Sequence, residues 1–342
     1  MNLPRPFVSV IIAVQNEGKF IGQTLDQIAS QTYPADRFEV IVIDGYSTDR
    51  TVEIVESCRS KFQNLIIMQN PVRLAGSSRN LGFKKARGEY MIIIDGHVYI
   101  ENPNLLADMV EIFQKTACLV LSRPQPLTPP DNDHFQNAVA FARESVIGHG
   151  TDSTIYDMEF EGEVDAASSG AMYHKSIFER VGYIDENFDA AEDYEFNFRV
   201  AKNNFKSWIS PKLAVFYYPR DSLGGLFKQM ARYGLGRFRF VKKYPAETIS
   251  GNLVPPLFFT GLILSLIISL FYEPFKIVPA LLLGVYFLAL LASSLVTAGR
   301  RGMHFLPLIP VILFTIHLGL AYGFVSGFFI KSPRSGKKES TK

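Results

Sequence analysis

The feature that most constrains this chain is a change of character at residue 253. Before it, charged residues are spread evenly. After it come three long apolar stretches, Leu253 to Phe271, Phe275 to Thr297 and Phe305 to Ile330. A helix needs roughly 20 apolar residues to cross the hydrocarbon core of a bilayer, and each stretch has that length. None carries an amphipathic stripe of the kind a buried soluble helix shows. The sequence therefore predicts a membrane domain of about three helices over 253–330, preceded by a large soluble head. Lys242 and Lys243 precede the first stretch, and Arg300 and Arg301 follow the second. Both positions are expected on the cytoplasmic side of the inner (plasma) membrane, with the Tyr272-Glu273-Pro274 turn outside. Three full crossings would put the basic tail 331–342 outside, against the positive-inside tendency. Either the tail is an exception, or a proline-bearing segment (Pro255-Pro256, or Pro307 and Pro310) enters without crossing.

The remaining totals exclude more than they assign. Among 342 residues the formal net charge is only +2, so the chain as a whole is no polycation for nucleic acid. Cys58 and Cys118 sit in apolar patterns without a partner at metal-ligand spacing and read as reduced core thiols. Met1 to Phe7 leads directly into a strand-like run, so no signal peptide is expected.

In the head, short β-rich runs (VSVIIA, EVIVID, LIIMQ, YMIIID, CLVLS) alternate with helical patterns such as Lys19 to Gln31, with Ile21, Leu25 and Ile28 on one face. This alternation predicts an α/β fold, a mostly parallel sheet with helices on both faces. In such sheets ligands bind beyond the carboxyl ends of the strands. Those ends deliver Gln15-Asn16-Glu17, Asp44 with Gly45 to Asp49, and Asp95-Gly96-His97. One of Ser47, Thr48 and Asp49 is expected to cap the next helix. Three polar clusters on one edge exceed what capping needs. Neither Gly-x-Gly-x-x-Gly nor a P-loop follows the first strand. An acidic pocket without an anion loop handles phosphate through a divalent cation. Asp95 and His97, separated by Gly96, can turn to one site and suit Mn²⁺ or Mg²⁺ bound with a diphosphate.

The motifs VSVIIAVQNE, EVIVIDGYSTDRT and RNLGFKKARGEYMIIIDGH resemble, in order, those of family 2 glycosyltransferases with the GT-A fold, over roughly residues 6–244. The likeness is greatest to membrane-anchored bacterial exopolysaccharide enzymes of the succinoglycan type. The resemblance implies a catalytic domain over 1–220. It implies that Glu17 and Asp44 hold the uridine of the donor, that Arg79 contacts the nucleotide, and that Asp95 touches the ribose or the metal. His97 stands where most of the family has a second Asp as direct metal ligand.

A second block, VDAASSGAMYHKSIFERVGYIDENFDAAEDYEFNFRV, carries the acceptor side. Ser168-Ser169-Gly170-Ala171 offers small residues where a sugar could approach the backbone. Lys175 to Val181 reads as a short helix, and Asp193 to Lys202 as another with Phe196, Val200 and Ala201 inward. An acid in a first helical turn is favoured by the macrodipole alone. Inverting transfer needs one carboxylate as general base, and the family's Glu-Asp motif falls on Glu192-Asp193. That implies Asp193 as the base and Glu192 as its helper.

Residues 221–247 form a basic amphipathic segment, with Lys228, Arg232, Arg237, Arg239, Lys242 and Lys243 and no acid from 224 to 244. Such a segment lies at the interface and meets anionic lipid headgroups. Gln229-Met230-Ala231-Arg232-Tyr233 also resembles the Gln-x-x-Arg-Trp motif of processive β-glycan synthases, which implies that Gln229 and Arg232 bind the donor diphosphate. The expected function is inverting transfer of a hexose, glucose first, from a UDP-sugar to a lipid-linked or growing saccharide at the cytoplasmic face. The alternatives are a polyprenyl-phosphate sugar synthase and a nucleotide-binding scaffold of a polysaccharide export complex.

Overall fold

The computed structural model describes residues 5–149, 154–167, 169–247 and 253–331. They form two compact units, Met1–Leu127 with Thr154–Tyr218, and Thr128–Ser153 with Pro219–Lys342. The catalytic domain expected over 1–220 spans both units, since 128–153 goes with the second. Of the basic tail only Lys331 is described; the rest of it, with Met1 to Pro4 and Ser168, lies outside the described residues.

Among the described residues, ten strands build the first unit: β1 (Val8–Val14), β2 (Phe38–Asp44), β3 (Leu65–Gln69), β4 (Tyr90–Ile93), β5 (Val98–Tyr99), β6 (Val120–Ser122), β7 (Gly162–Asp165), β8 (Gly170–His174), β9 (Lys206–Ile209) and β10 (Phe216–Tyr217). Eight form one sheet in the order β3-β2-β1-β4-β8-β6-β9-β7, while β5 and β10 pair as a separate antiparallel ribbon. The apolar runs become parallel neighbours β3, β2, β1 and β4, which are near-continuous in Val and Ile because both faces are covered. β8 enters antiparallel between β4 and β6. In register, Val14 pairs with Asp44, so the first two strands deliver their polar loops side by side.

Each sheet face has its own core. Val8, Val10 and Ile12 of β1 pack with Ile21, Leu25 and Ile28 of the Ile21–Ala29 helix. Ile11, Ile41 and Ile43 pack on the other face with Phe83, Phe178 and Phe196. Gly82 in the Ala75–Lys85 helix lets that helix press on the sheet, for a Cβ there would lie 2.5 Å from Ile11 Cγ2. The close seat fixes Arg79, one turn earlier, toward the strand mouths. Cys58 is buried and Cys118 half-buried, and both are free thiols.

Gly170, among the small residues expected beside a sugar, also has a structural reason to be small. Gly170 O accepts Asn197 Nδ2 (2.8 Å) and the Tyr173 hydroxyl (2.8 Å), and a Cβ at 170 would meet Asn197 Oδ1 at 2.8 Å.

The second unit is helical. Its members are the inserted helix His134–Glu144, the basic helix Leu223–Lys243, and three apolar helices, Val254–Phe271, Ile277–Arg301 and Ile309–Ser326. All three apolar helices are long and apolar enough to cross a membrane. The second runs on past Thr297 to Arg301, and the third starts only at Ile309, because Pro310 fits the first turn of a helix better than its interior. The basic helix does not stand alone as an amphipathic strip. It packs against the third apolar helix through a seam of glycines: a Cβ at Gly234 would sit 2.1 Å from Leu320 O, and one at Gly323 would sit 1.9 Å from Ala231 O. Gly319, Gly323 and Gly327, four residues apart, line one side, as small residues do where helix backbones touch in lipid.

Candidate functional site

At the carboxyl ends of β1 and β2 two loops are stitched into one. Gln15 Nε2 donates to Gly45 O (3.0 Å), Asn16 N–H to Ser47 Oγ (2.9 Å) and Thr48 N–H to Asn16 Oδ1 (2.8 Å). Glu17 N–H donates to Thr51 Oγ1 (2.8 Å) and Gly18 N–H to Asp49 Oδ2 (3.0 Å). Asp49 also accepts the Thr51 N–H (3.0 Å) at the start of the Thr51–Ser57 helix, but the N-cap is Arg50, whose side chain does not cap, so none of Ser47, Thr48 and Asp49 takes that place. Asp44 is 2 % exposed, and its carboxylate accepts the Ser47 N–H (3.1 and 3.2 Å). Asn16 and Tyr46 hold left-handed backbone, φ 58° and 60°. Asn tolerates this region; Tyr does so at a cost and is found there mainly at functional sites. The exposed Tyr46 ring carries the Arg73 guanidinium 5.2 Å from its centroid.

Beyond β4 lies a chain of buried charges. Arg79 donates through Nη1 to Glu192 Oε1 (2.7 Å) and through Nη2 to Asp95 Oδ1 (3.1 Å). The Tyr217 hydroxyl donates to Asp95 Oδ2 (2.7 Å), and Arg123 Nη2 donates to that hydroxyl oxygen (3.1 Å). Arg123 is 1 % exposed and is tied by Nη1 to Ile93 O (2.8 Å) at the end of β4. Burial alone would push the Asp95 carboxyl up. The guanidinium of Arg79, the His97 ring and the Tyr217 hydrogen bond outweigh it and bring the group down to about 2. Glu192 behaves oppositely: burial raises it despite Arg79. Burial also raises Tyr217, which keeps its hydroxyl a donor.

His97 turns to the stitched loops. Its Nδ1 lies 2.8 Å from Glu17 Oε1. An ionised carboxylate only accepts, so Nδ1 carries a proton. The turn at Gly96 is tight enough that a Cβ would meet Glu17 Cγ at 3.1 Å.

The structure thus joins Glu17 to His97, and Arg79 to both Asp95 and Glu192. Glu17, expected on the uridine, spends a carboxylate oxygen on the imidazole. Glu192, expected as helper to a base, is buried and paired with Arg79. Asp193 is the exposed acid in the first turn of the Glu192–Lys202 helix, with Oδ1 accepting the Tyr194 N–H (2.8 Å). Gln229, half-buried, and Arg232, exposed, lie on the basic helix of the second unit. Sequence reasoning missed Tyr46, Arg73, Arg123 and Tyr217. A signal existed for Arg123 alone: a charge directly after the apolar run CLVLS.

The family model described as "Glycosyl transferase family 2" matches residues 9–182, and "Glycosyl transferase family group 2" matches 125–326. The chain is similar to dolichyl N-acetyl-alpha-D-glucosaminyl phosphate 3-beta-D-2,3-diacetamido-2,3-dideoxy-beta-D-glucuronosyltransferase of Methanococcus voltae, 27% identical over 94% of this chain and 97% of the relative. It is also similar to succinoglycan biosynthesis protein ExoA of Rhizobium meliloti (strain 1021), 26% identical over 92% and 93%. Among solved folds, the mannosyltransferase PcManGT from Pyrobaculum calidifontis, in complex with GDP-Man and Mn²⁺, superposes with a TM-score of 0.60 at 20% identity, covering 95% of this chain and 88% of that one. S. aureus TarS 1-349 in complex with UDP gives 0.53 at 21% identity, covering 94% and 90%.

Proposed function

The chain belongs to glycosyl transferase family 2, and on that premise we propose that it moves a hexosyl group, with inversion, from a UDP-sugar to a lipid-linked saccharide. The observation that carries the reading is the Arg79 bridge, which ties Asp95 at the mouth of β4 to Glu192 beside the exposed Asp193. One buried guanidinium thereby holds the proposed donor-side group and the residue next to the proposed base. The acceptor class is supported by the lipid-linked sugar in the name of the Methanococcus voltae relative, and the donor class by the UDP bound to TarS.

Asp193 takes the proton from the attacking hydroxyl; its exposure leaves it reachable by a large acceptor. Glu192, locked to Arg79, orients the helix start that presents Asp193 and does not itself move a proton. Asp44 and the stitched loops hold the uridine, with Tyr46 as the aromatic wall. Gln229 and Arg232 keep the diphosphate role that their motif implies.

Asp95 and His97 fit a divalent cation as a two-residue donor set. Among the described residues no cluster of three or more His, Cys, Asp or Glu side chains could hold a metal, so diphosphate and water would complete the shell, as is usual for Mg²⁺ and accessible to Mn²⁺. Asp95 is held ionised, and each of its oxygens has a lone pair beyond the one given to Arg79 or Tyr217. By accepting from Nδ1, Glu17 would leave Nε2 of the neutral ring as the ligating nitrogen, the usual way a carboxylate orients a ligating histidine. When bound, such a cation neutralises the departing nucleoside diphosphate.

The test uses purified full-length protein in detergent with UDP-glucose first, then other UDP-hexoses, and a membrane lipid extract as acceptor. UDP release is expected with Mn²⁺ or Mg²⁺ and not with chelator. Asp193→Asn is expected to lose about 10²–10⁴-fold in turnover while still binding UDP. Unchanged turnover in that variant refutes the base assignment.

A further inference from the structure

Arg123 is a costly residue for its place. It follows directly on β6, is almost wholly buried, and among the described residues stands in no ion pair. Its Nε has no hydrogen-bond partner. The two bonds it does make go to neutral oxygens, the Ile93 carbonyl (2.8 Å) and the Tyr217 hydroxyl (3.1 Å). Burying a guanidinium without a carboxylate against it is expensive, and an apolar side chain of similar volume would fill the space at less cost. Joining the neighbouring segments does not explain it. Backbone bonds already lace them, Val215 N–H to Pro124 O (3.1 Å) and Tyr217 N–H to Pro126 O (2.9 Å).

The two bonds share a target. Ile93 ends β4, and Asp95 follows two residues later. The Tyr217 hydroxyl donates to Asp95 Oδ2 (2.7 Å). One guanidinium thus grips the strand that delivers Asp95 and, through a hydroxyl, the carboxylate itself. That hydroxyl has a single proton. Arg123 only donates and Asp95 accepts, so the proton is committed to Asp95. A donor bonded to the hydroxyl oxygen also strengthens the hydroxyl's own donation. On the other side Arg79 donates to Asp95 Oδ1 (3.1 Å). Each carboxylate oxygen therefore has its own donor, and the plane of the group is set.

We infer that Arg123 is a positioning residue for Asp95, acting through the Tyr217 hydroxyl to fix where the carboxylate presents its remaining lone pairs. What Asp95 then holds rests on the proposed function, a cation bound with the donor diphosphate; the relay is a property of the protein alone. Reach matters here as well as charge. The planar fork of Arg holds two oxygens in a fixed geometry, whereas the ammonium of Lys is a point charge on a flexible stem. Arg123→Lys therefore keeps the charge and loosens the grip.

The test titrates purified full-length protein in detergent with Mn²⁺ in the presence of saturating UDP, and reads free Mn²⁺ by electron paramagnetic resonance. Arg123→Lys and Tyr217→Phe are each expected to bind Mn²⁺ about 2–10-fold more weakly, the worth of one hydrogen bond. The double variant is expected to bind no more weakly than Tyr217→Phe, because the effect of Arg123 travels through that hydroxyl. Wild-type Mn²⁺ affinity in Arg123→Lys, or a double variant whose loss is the product of the two single losses, overturns the inference. Thermal unfolding in chelator reads the relay without a cation. Arg123 and Asp95 share no bond, yet Arg123→Lys and Asp95→Asn are expected to be non-additive while Tyr217 is present and additive with Tyr217→Phe. Additivity in both backgrounds, the result for a merely structural Arg123, overturns the inference. A wild type that binds no Mn²⁺ beside UDP counts against the cation of the proposed function, and the unfolding series then decides the relay by itself.

Discussion

The charged chain around Arg79 and the glycine seam between the basic helix and the third apolar helix solve opposite problems of burial. In the first, Glu192, Arg79 and Asp95 are all sheltered, and each is tolerable only because the others are present. In the second, nothing polar has to be matched; the backbones approach because Gly234, Gly319 and Gly323 lack a Cβ. Removing a group therefore injures the first region, and adding one injures the second. A substitution series that subtracts from one and adds to the other separates the two kinds of stability.

The largest effect is expected from subtraction at the bridge. Arg79→Met leaves two buried carboxylates facing one another, and breaking a buried ion pair this way costs about 3–5 kcal/mol. Thermal unfolding in detergent should shift strongly, with Glu192→Gln in the same chain recovering part of the loss. Next comes addition at the seam. Gly323→Val forces the helices apart because the obstacle is the Ala231 carbonyl rather than a mobile side chain, at about 3 kcal/mol, the upper end for overpacking. Gly284→Ala, where a Cβ would meet nothing within 4 Å, should be neutral in the same assay. Tyr217→Phe removes one hydrogen bond to an ionised group and should cost about 1.5 kcal/mol. Its signature is a raised metal requirement for turnover, because Asp95 is then less firmly held.

The smallest effect at working pH comes from titrating Asp95. Its folded value, about 2, lies below the ordinary carboxylate value. The stabilisation is therefore fully present above about pH 4 and is lost as pH falls toward 2. Melting temperatures of the wild type and Asp95→Asn should converge across that acid window. Parallel profiles would mean that Arg79 does not hold the charge.

Much of the sheet was legible because β1 to β4 are near-continuous apolar runs rich in Val and Ile, the pattern of parallel strands buried on both faces. β8 was not, because Gly170-Ala171-Met172-Tyr173-His174 lacks both a β-branched run and clean alternation. The acidic rim was readable from strand ends, since Asp44 and Asp95 each close an apolar run. The contact of Arg123 with Tyr217 was unreadable, for the two are 94 residues apart in sequence and meet because Val215 N–H and Tyr217 N–H donate to Pro124 O and Pro126 O. The helix His134–Glu144 shows an apolar face in Phe135, Ala138, Val139 and Ala142, but periodicity does not say what covers it. The number of crossings was not legible either, because hydropathy alone fits two as well as three.

The hydrogen bonds that lace residues 15–18 to 45–51 have a kinetic consequence. A pocket floor assembled in advance asks little further ordering of the chain when a nucleotide arrives, so encounter should proceed near the ordinary rate for a rigid receptor. Differences in affinity among donors would then appear in how long each one stays.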